Sequence, residues 1–130
     1  MDSKDRKEVY KNRRYRDSFR YAYWGVKTAF REERNMRTHV LTGVIVLVVS
    51  LFLDLSRDEW LWLILVSYLV FVMELINTVI ENVVDLVTEE YHPIAKKVKD
   101  MAAAVVLVTA SFAALIGVII LLPKLLQIFI

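Results

Sequence analysis

Three stretches of the chain, Thr38 to Leu53, Trp60 to Met73 and Met101 to Pro123, contain no Asp, Glu, Lys or Arg. The second continues as an apolar pattern past Glu74, so each can supply roughly 20 residues of helix, enough to cross a hydrocarbon layer of ~30 Å. Helices of a soluble bundle need a polar outer face, and residues 40–53 and 101–122 have almost none. The expected class is an all-α membrane protein. With 130 residues, 57% of them hydrophobic, and only three Gly and two Pro, the chain is neither disordered nor fibrous, and one domain spanning 1–130 is expected. A long polar stretch precedes the first apolar run, too long for the basic region of a cleavable signal, so retention of the whole chain is expected. There is no cysteine, which excludes disulfide and thiolate chemistry.

Charge is unevenly placed. Met1 to Arg37 holds 12 of the 17 Lys and Arg, and Lys96, Lys97 and Lys99 form a second cluster, whereas the connector Asp54 to Glu59 holds one Arg against three acids. The positive-inside rule then places the N-terminus and the 88–100 loop in the cytoplasm and the 54–59 turn and the C-terminus outside. A net charge of +2 is too small to imply nucleic-acid binding. Anionic headgroups or phosphate ligands account better for the basic N-terminus.

Along the chain, residues 1–13 read as a charged, mobile tail. Residues 14–35 read as a surface helix, because Phe19, Tyr23, Val26 and Phe30 recur at helical spacing beside Arg16, Arg20, Lys27, Arg31 and Arg34. Ser18, Ala22, Gly25 and Ala29 add a strip of small residues that would let another backbone approach. Transmembrane helices are expected over 37–55, 59–87 and 94–122. Ser56 with Glu59 forms a capping box for the second, Trp60 and Trp62 are interfacial anchors, and Pro93 suits the first turn of the third. Ala103, Ala110, Ala114 and Gly117 make a small-residue face there, suited to helix packing.

The unusual feature is Glu74, Asn77, Glu81 and Asp85, which fall within roughly 80° of one another on the second span. Ionised carboxylates facing lipid would cost several kcal/mol each, so they must face protein, a cation or water. Pairing with basic residues of a neighbouring helix is the plain structural alternative, yet the other two spans contain no Lys or Arg at that depth. A hard cation can complete such a site. Mg²⁺ takes one or two carboxylates together with phosphate oxygens and water. Glu81 is one candidate ligand, and Glu33, at the edge of the small-residue strip, is the second; Glu32 points elsewhere. Glu74, deepest of the stripe, would accept the proton of a lipid hydroxyl while cations hold the charge of a transferred phosphoryl group. No GxxxxGK[ST], GxGxxG, HRD or DFG motif occurs, so a nucleotide would be held by none of the common phosphate cradles. Phe71 and Met73, flanking Glu74, are candidate lipid contacts, and His39 reads as a headgroup or interhelix contact as readily as a site residue. An ion- or proton-conducting oligomer is the competing reading from another class, although Trp60 to Phe71 offers such a path only Ser67 and Tyr68. A non-catalytic assembly subunit would explain the small-residue seams but not the acids.

The run Glu74-Leu75-Ile76-Asn77-Thr78-Val79-Ile80-Glu81-Asn82-Val83-Val84-Asp85, followed by Glu90-Tyr91-His92 and Lys99-Asp100-Met101-Ala102-Ala103-Ala104, resembles the bacterial diacylglycerol kinase family of small membrane lipid kinases. Glu33-Arg34-Asn35-Met36-Arg37-Thr38-His39 is similar to the branch of undecaprenol kinases. The resemblance covers about residues 14–122 and implies a surface helix plus three transmembrane helices, assembled as a homotrimer in the bacterial cell membrane with active sites at subunit boundaries facing the cytoplasm. It implies ATP and Mg²⁺ as co-substrate and cofactor and a lipid alcohol as acceptor, undecaprenol ahead of diacylglycerol. By position Glu74 matches the catalytic base, and Glu33 and Glu81 the metal-binding glutamates. Asn77 matches an active-centre polar residue, and Arg14, Tyr21, Tyr91, His92, Lys99 and Asp100 match nucleotide positions, with Glu81 and Asp85 beside them. Lys96 and Ala102 stand where glycine is a family alternative, and a loop glycine after Asp85 is missing, so backbone approach to the phosphates or base is expected to differ there.

Overall fold

The computed structural model describes residues 15–129, and among them every regular element is a helix: α1 Tyr15–Glu32, α2 Arg34–Ser50, α3 Arg57–Val87 and α4 Pro93–Phe129. The expected tail over 1–13 and Arg14 lie outside the described residues. Helix α1 exposes Tyr15, Phe19, Tyr23 and Trp24 and buries only Ala29. Of the strip Ser18, Ala22, Gly25 and Ala29, only the last is therefore covered within one chain. The Arg20 guanidinium lies over the rings of Tyr21 and Trp24, 5.3 and 5.7 Å from their centroids, and the two rings meet edge to face.

A single residue, Glu33, separates α1 from α2. It is extended, with φ −96° and ψ 117°, and its side chain makes no capping hydrogen bond. The elbow is held instead by Arg37, whose guanidinium donates to the carbonyl oxygens of Phe30 at 3.1 Å and Arg31 at 2.7 Å. These are end-of-helix carbonyls that α1 itself cannot satisfy. Helix α2 therefore begins at Arg34, earlier than expected, and also stops earlier, at Ser50 instead of residue 55. The N–H groups of Leu51, Phe52 and Leu53 turn back to carbonyls three residues before them at 3.1, 3.1 and 3.2 Å. That tighter winding ends the helix and frees the chain to reach Ser56.

The capping box forms as the sequence predicts: Ser56 Oγ accepts the Glu59 N–H at 3.2 Å and Glu59 Oε2 accepts the Ser56 N–H at 2.7 Å. Replacing Ser56 by Ala is expected to remove about 1 kcal/mol of stability, read as a lower unfolding midpoint in detergent at unchanged helix content. Lys124 closes the same end of the bundle. Its Nζ donates to the Asp54 carbonyl oxygen at 2.7 Å and lies 3.6 Å from Glu59. Helix α4 accordingly does not stop at residue 122; it runs through Pro123 to Phe129. A proline costs an interior helix one hydrogen bond, a loss that membrane helices tolerate, and the contacts of Lys124 hold the segment beyond it. At the other end Lys99 pairs with Asp85 at 2.5 Å. The ion pairs Asp85–Lys99 and Glu59–Lys124 thus fix the antiparallel register of α3 and α4 along their whole length.

Helix α3 is the centre. Helix α4 packs along it, α2 packs beside it, and α1 touches both α2 and α3. The buried seam is Leu63, Val66 and Val70 of α3 with Ala102, Val106 and Ile120 of α4. The small-residue face, expected to serve packing within the chain or between copies, lies outside this seam: Ala103 and Ala114 are exposed, and Ala110 and Gly117 only half-buried. The bulkier Val106 and Ile120 fill the contact with α3, and the small-residue face is left towards α2.

Helices α3 and α4 are long and apolar enough to cross a membrane, and only 6% of the most apolar window of α4 is buried. Leu107, Val108, Leu115 and Ile119 stand exposed on α4. Such a surface suits acyl chains and not water. Helix α2, with 17 residues, is about 26 Å long at ~1.5 Å per residue, slightly less than the hydrocarbon is thick.

Candidate active site

The buried face of α3 is continuous. Leu63, Val66 and Val70 lead into Glu74, Asn77 and Thr78, so one side of a single helix passes from apolar to acidic within one turn. Helical periodicity makes this unavoidable once those residues are spaced by three and four. Glu74 is 2% exposed, and among the described residues no basic side chain forms a salt bridge with it. The backbone carbonyl of Glu74 accepts from Thr78 Oγ1 at 3.0 Å, and that of Thr78 accepts from Asn82 Nδ2 at 2.8 Å. These bonds keep the neighbouring polar groups on the helix and leave the Glu74 carboxylate without a side-chain donor.

Asn77 is the hinge of the site. Its Nδ2 donates to Glu81 Oε1 at 3.0 Å, while its Oδ1 is buried without any hydrogen-bond partner. A buried acceptor left unpaired costs on the order of 1–3 kcal/mol, and a bound donor or cation would satisfy it. Glu33, at the uncapped elbow between α1 and α2, comes within electrostatic reach of Glu74 together with Glu81 and His39. The charges of Glu33 and Glu81 thus act on Glu74 from two separate segments, and so does that of His39, which the sequence left open as a headgroup contact, an interhelix contact or a site residue. Among the described residues no three Asp, Glu, His or Cys side chains come close enough to hold an ion alone.

The residues matched to the nucleotide are spread over the end of the bundle that carries the α3–α4 loop, and over α1. Asp85 and Lys99 are paired with each other across α3 and α4, and Asp100 is paired with Lys96. His92 Nδ1 accepts the N–H of Ile94 at 3.2 Å, capping the start of α4. Tyr91 is 80% exposed, and Tyr21 sits in the Arg20 and Trp24 cluster of α1. Within one chain these groups do not converge on the acids. Phe71 and Met73 are half-buried beside Glu74, outside the lining of an apolar cleft of about 650 Å³ that opens between α2, α3 and α4.

The sequence profile of the prokaryotic diacylglycerol kinase family matches residues 20–121. The chain is 41% identical over 125 residues to the undecaprenol kinase of Bacillus subtilis, covering 96% of this chain and all of that protein. It is 47% identical over 111 residues to a diacylglycerol kinase of Synechocystis, covering 85% of this chain and 63% of that one. To the diacylglycerol kinase of Escherichia coli K12 it is 32% identical over 88 residues, 68% of this chain and 72% of that one. These matches, which span the long spaced acid motif, make the chain a member of the prokaryotic diacylglycerol kinase family.

Proposed function

We propose that this protein is a membrane lipid kinase that transfers the γ-phosphoryl group of ATP to the hydroxyl of a lipid alcohol, undecaprenol in preference to diacylglycerol. The observation that carries the reading is a carboxylate, Glu74, buried at 2% exposure and without a salt bridge among the described residues, on the helix face that also bears Asn77 and Glu81. The likeness over the full length of the Bacillus subtilis undecaprenol kinase supports undecaprenol as acceptor.

Glu33 and Glu81 fit an Mg²⁺ ion that arrives with the nucleotide: two carboxylates are what such an ion takes from protein when phosphate oxygens and water complete its shell. The unpaired Asn77 Oδ1 beside Glu81 fits the same environment. When bound, the ion supplies neutralisation of the phosphate charge that builds up during transfer. Asn77 orients the Glu81 carboxylate through its amide. Glu74 accepts the hydroxyl proton as the lipid oxygen attacks the γ-phosphorus and ADP departs. Its depth, about three turns below Asp85 at about 1.5 Å per residue, matches a hydroxyl entering sideways from the bilayer and not from water. Tyr21, Tyr91, His92, Lys99, Asp100 and Arg14, the last outside the described residues, are proposed to bind the nucleotide.

In this reading α2, α3 and α4 all cross the membrane with the N-terminus and acid cluster cytoplasmic, as the charge distribution directs. Three copies assemble, which would bring the dispersed rim residues of one chain to the acids of the next. The outer floor of α3 is Leu63, Val66 and Val70, a poor lining for ions, which disfavours the conducting alternative. The test is a competition: reconstituted protein with labelled ATP, undecaprenol and diacylglycerol in one bilayer. Undecaprenyl phosphate is expected as the main product. Phosphatidic acid as the main product would overturn the choice of acceptor, and no lipid product would overturn the kinase reading.

A further inference from the structure

The cleft of about 650 Å³ between α2, α3 and α4 has no part in the steps above. Its floor is the α3 face that includes Ser67 and Val70, and Glu74 follows Val70 on that face one turn later. Thr38 and His39 stand at the same end, and His39 lies within electrostatic reach of Glu74. The channel is thus apolar along most of its length, and its lining stops at Val70, one helical turn short of the buried Glu74. The α4 wall contributes Ala114 and Gly117, and the register set by the Asp85–Lys99 and Glu59–Lys124 pairs brings Gly117 level with Ser67, about two turns beyond Glu74. A β-carbon built on Gly117 meets no atom within 4 Å, whereas one on Gly43 would touch Ser67 at 3.7 Å. Gly117 is therefore not glycine for the sake of packing within the chain; it leaves the channel wide.

We propose that this cleft holds the hydrocarbon chain of the acceptor, and that Gly117 sets its bore to admit a methyl-branched isoprenoid chain. An isoprenoid is thicker than an unbranched acyl chain, and a groove with one floor and two walls holds one chain more readily than the two of a diacylglycerol. The inference rests on undecaprenol as acceptor and deepens it: chain selection lies about two turns away from the reacting hydroxyl.

The test compares the wild type with Gly117→Ala and Gly117→Leu on undecaprenol, on 3-methylbut-2-en-1-ol, whose single isoprene unit is too short to reach Gly117 from Glu74, and on diacylglycerol. Both substitutions favour helix and their β-carbon meets no atom within 4 Å; helix content by circular dichroism checks that the longer leucine side chain is also accommodated. Gly117→Leu is expected to lower kcat/KM for undecaprenol roughly ten- to a hundredfold, the range set by misfit in an apolar pocket. Gly117→Ala should fall between, and the rate on the one-unit alcohol and the oligomeric state should be unaffected. An unchanged rate on undecaprenol, an equal fall on the one-unit alcohol, or dissociation of the oligomer would overturn the proposal, the last by showing that the face seats a neighbouring copy. Should the wild type prefer diacylglycerol, the acceptor reading fails by itself. The channel then fails too only if Gly117→Leu does not separate long-chain from short-chain diacylglycerols.

Discussion

Glu74→Gln is expected to leave a folded, nucleotide-binding protein whose kcat is lower by roughly a thousandfold, about 4 kcal/mol of transition-state stabilisation, within the range that a general base contributes. The amide has the shape of the carboxylate, and Glu74 is 2% exposed among residues that already fit it, so packing should change little. What is lost is the ability to take a proton. Because Glu74 lies on the apolar side of Asn77 and Glu81, the KM for ATP should stay within a few-fold of the wild-type value, and added Mg²⁺ should restore nothing. Near-native turnover in steady-state assays of the reconstituted variant would remove Glu74 from the chemistry.

Glu81→Gln should fail differently. Asn77 Nδ2 donates to Glu81 Oε1 at 3.0 Å, and a glutamine can present its own oxygen to the same donor, so the local bond survives. The charge that would hold a divalent cation does not. Loss of one ligand carboxylate from a pair is expected to weaken the metal-nucleotide complex by roughly a hundredfold, at the upper end of what supporting groups alone contribute. The KM for ATP should rise, and a large excess of Mg²⁺ should recover part of the rate. Unchanged magnesium dependence would transfer the metal role from Glu81 to other residues.

Much of this was legible in the residues themselves. Absence of charge over 101–123 is enough to require a lipid-facing helix, and Ser56 with Glu59 is enough to start α3, because both follow from local rules. Spacing alone put Glu74, Asn77 and Glu81 on one face. The ends of helices were read less well. Ser50 stops α2 through a tightened turn whose bonds depend on backbone geometry, and Pro123 fails to stop α4 because Lys124 is held by Asp54, 70 residues earlier in the chain. Which residues of α4 meet α3 was not legible: small residues permit close packing within the chain or between copies, and within one chain Val106 and Ile120 are the ones that meet α3. The readings of His39 stayed open because Glu74, on which its charge acts, lies on another helix. Contacts between segments distant in sequence leave no periodic trace, and the residues matched to the nucleotide do not converge within one chain.

The division of labour between Glu74 and the pair Glu33 and Glu81 is tested most directly by electron paramagnetic resonance of Mn²⁺-ATP bound to the wild type, Glu74→Gln, Glu81→Gln and Glu33→Gln. The expected result is a bound-metal signal that Glu74→Gln retains and that Glu81→Gln and Glu33→Gln lose. A signal lost with Glu74→Gln and kept with the other two would contradict the assignment at its centre.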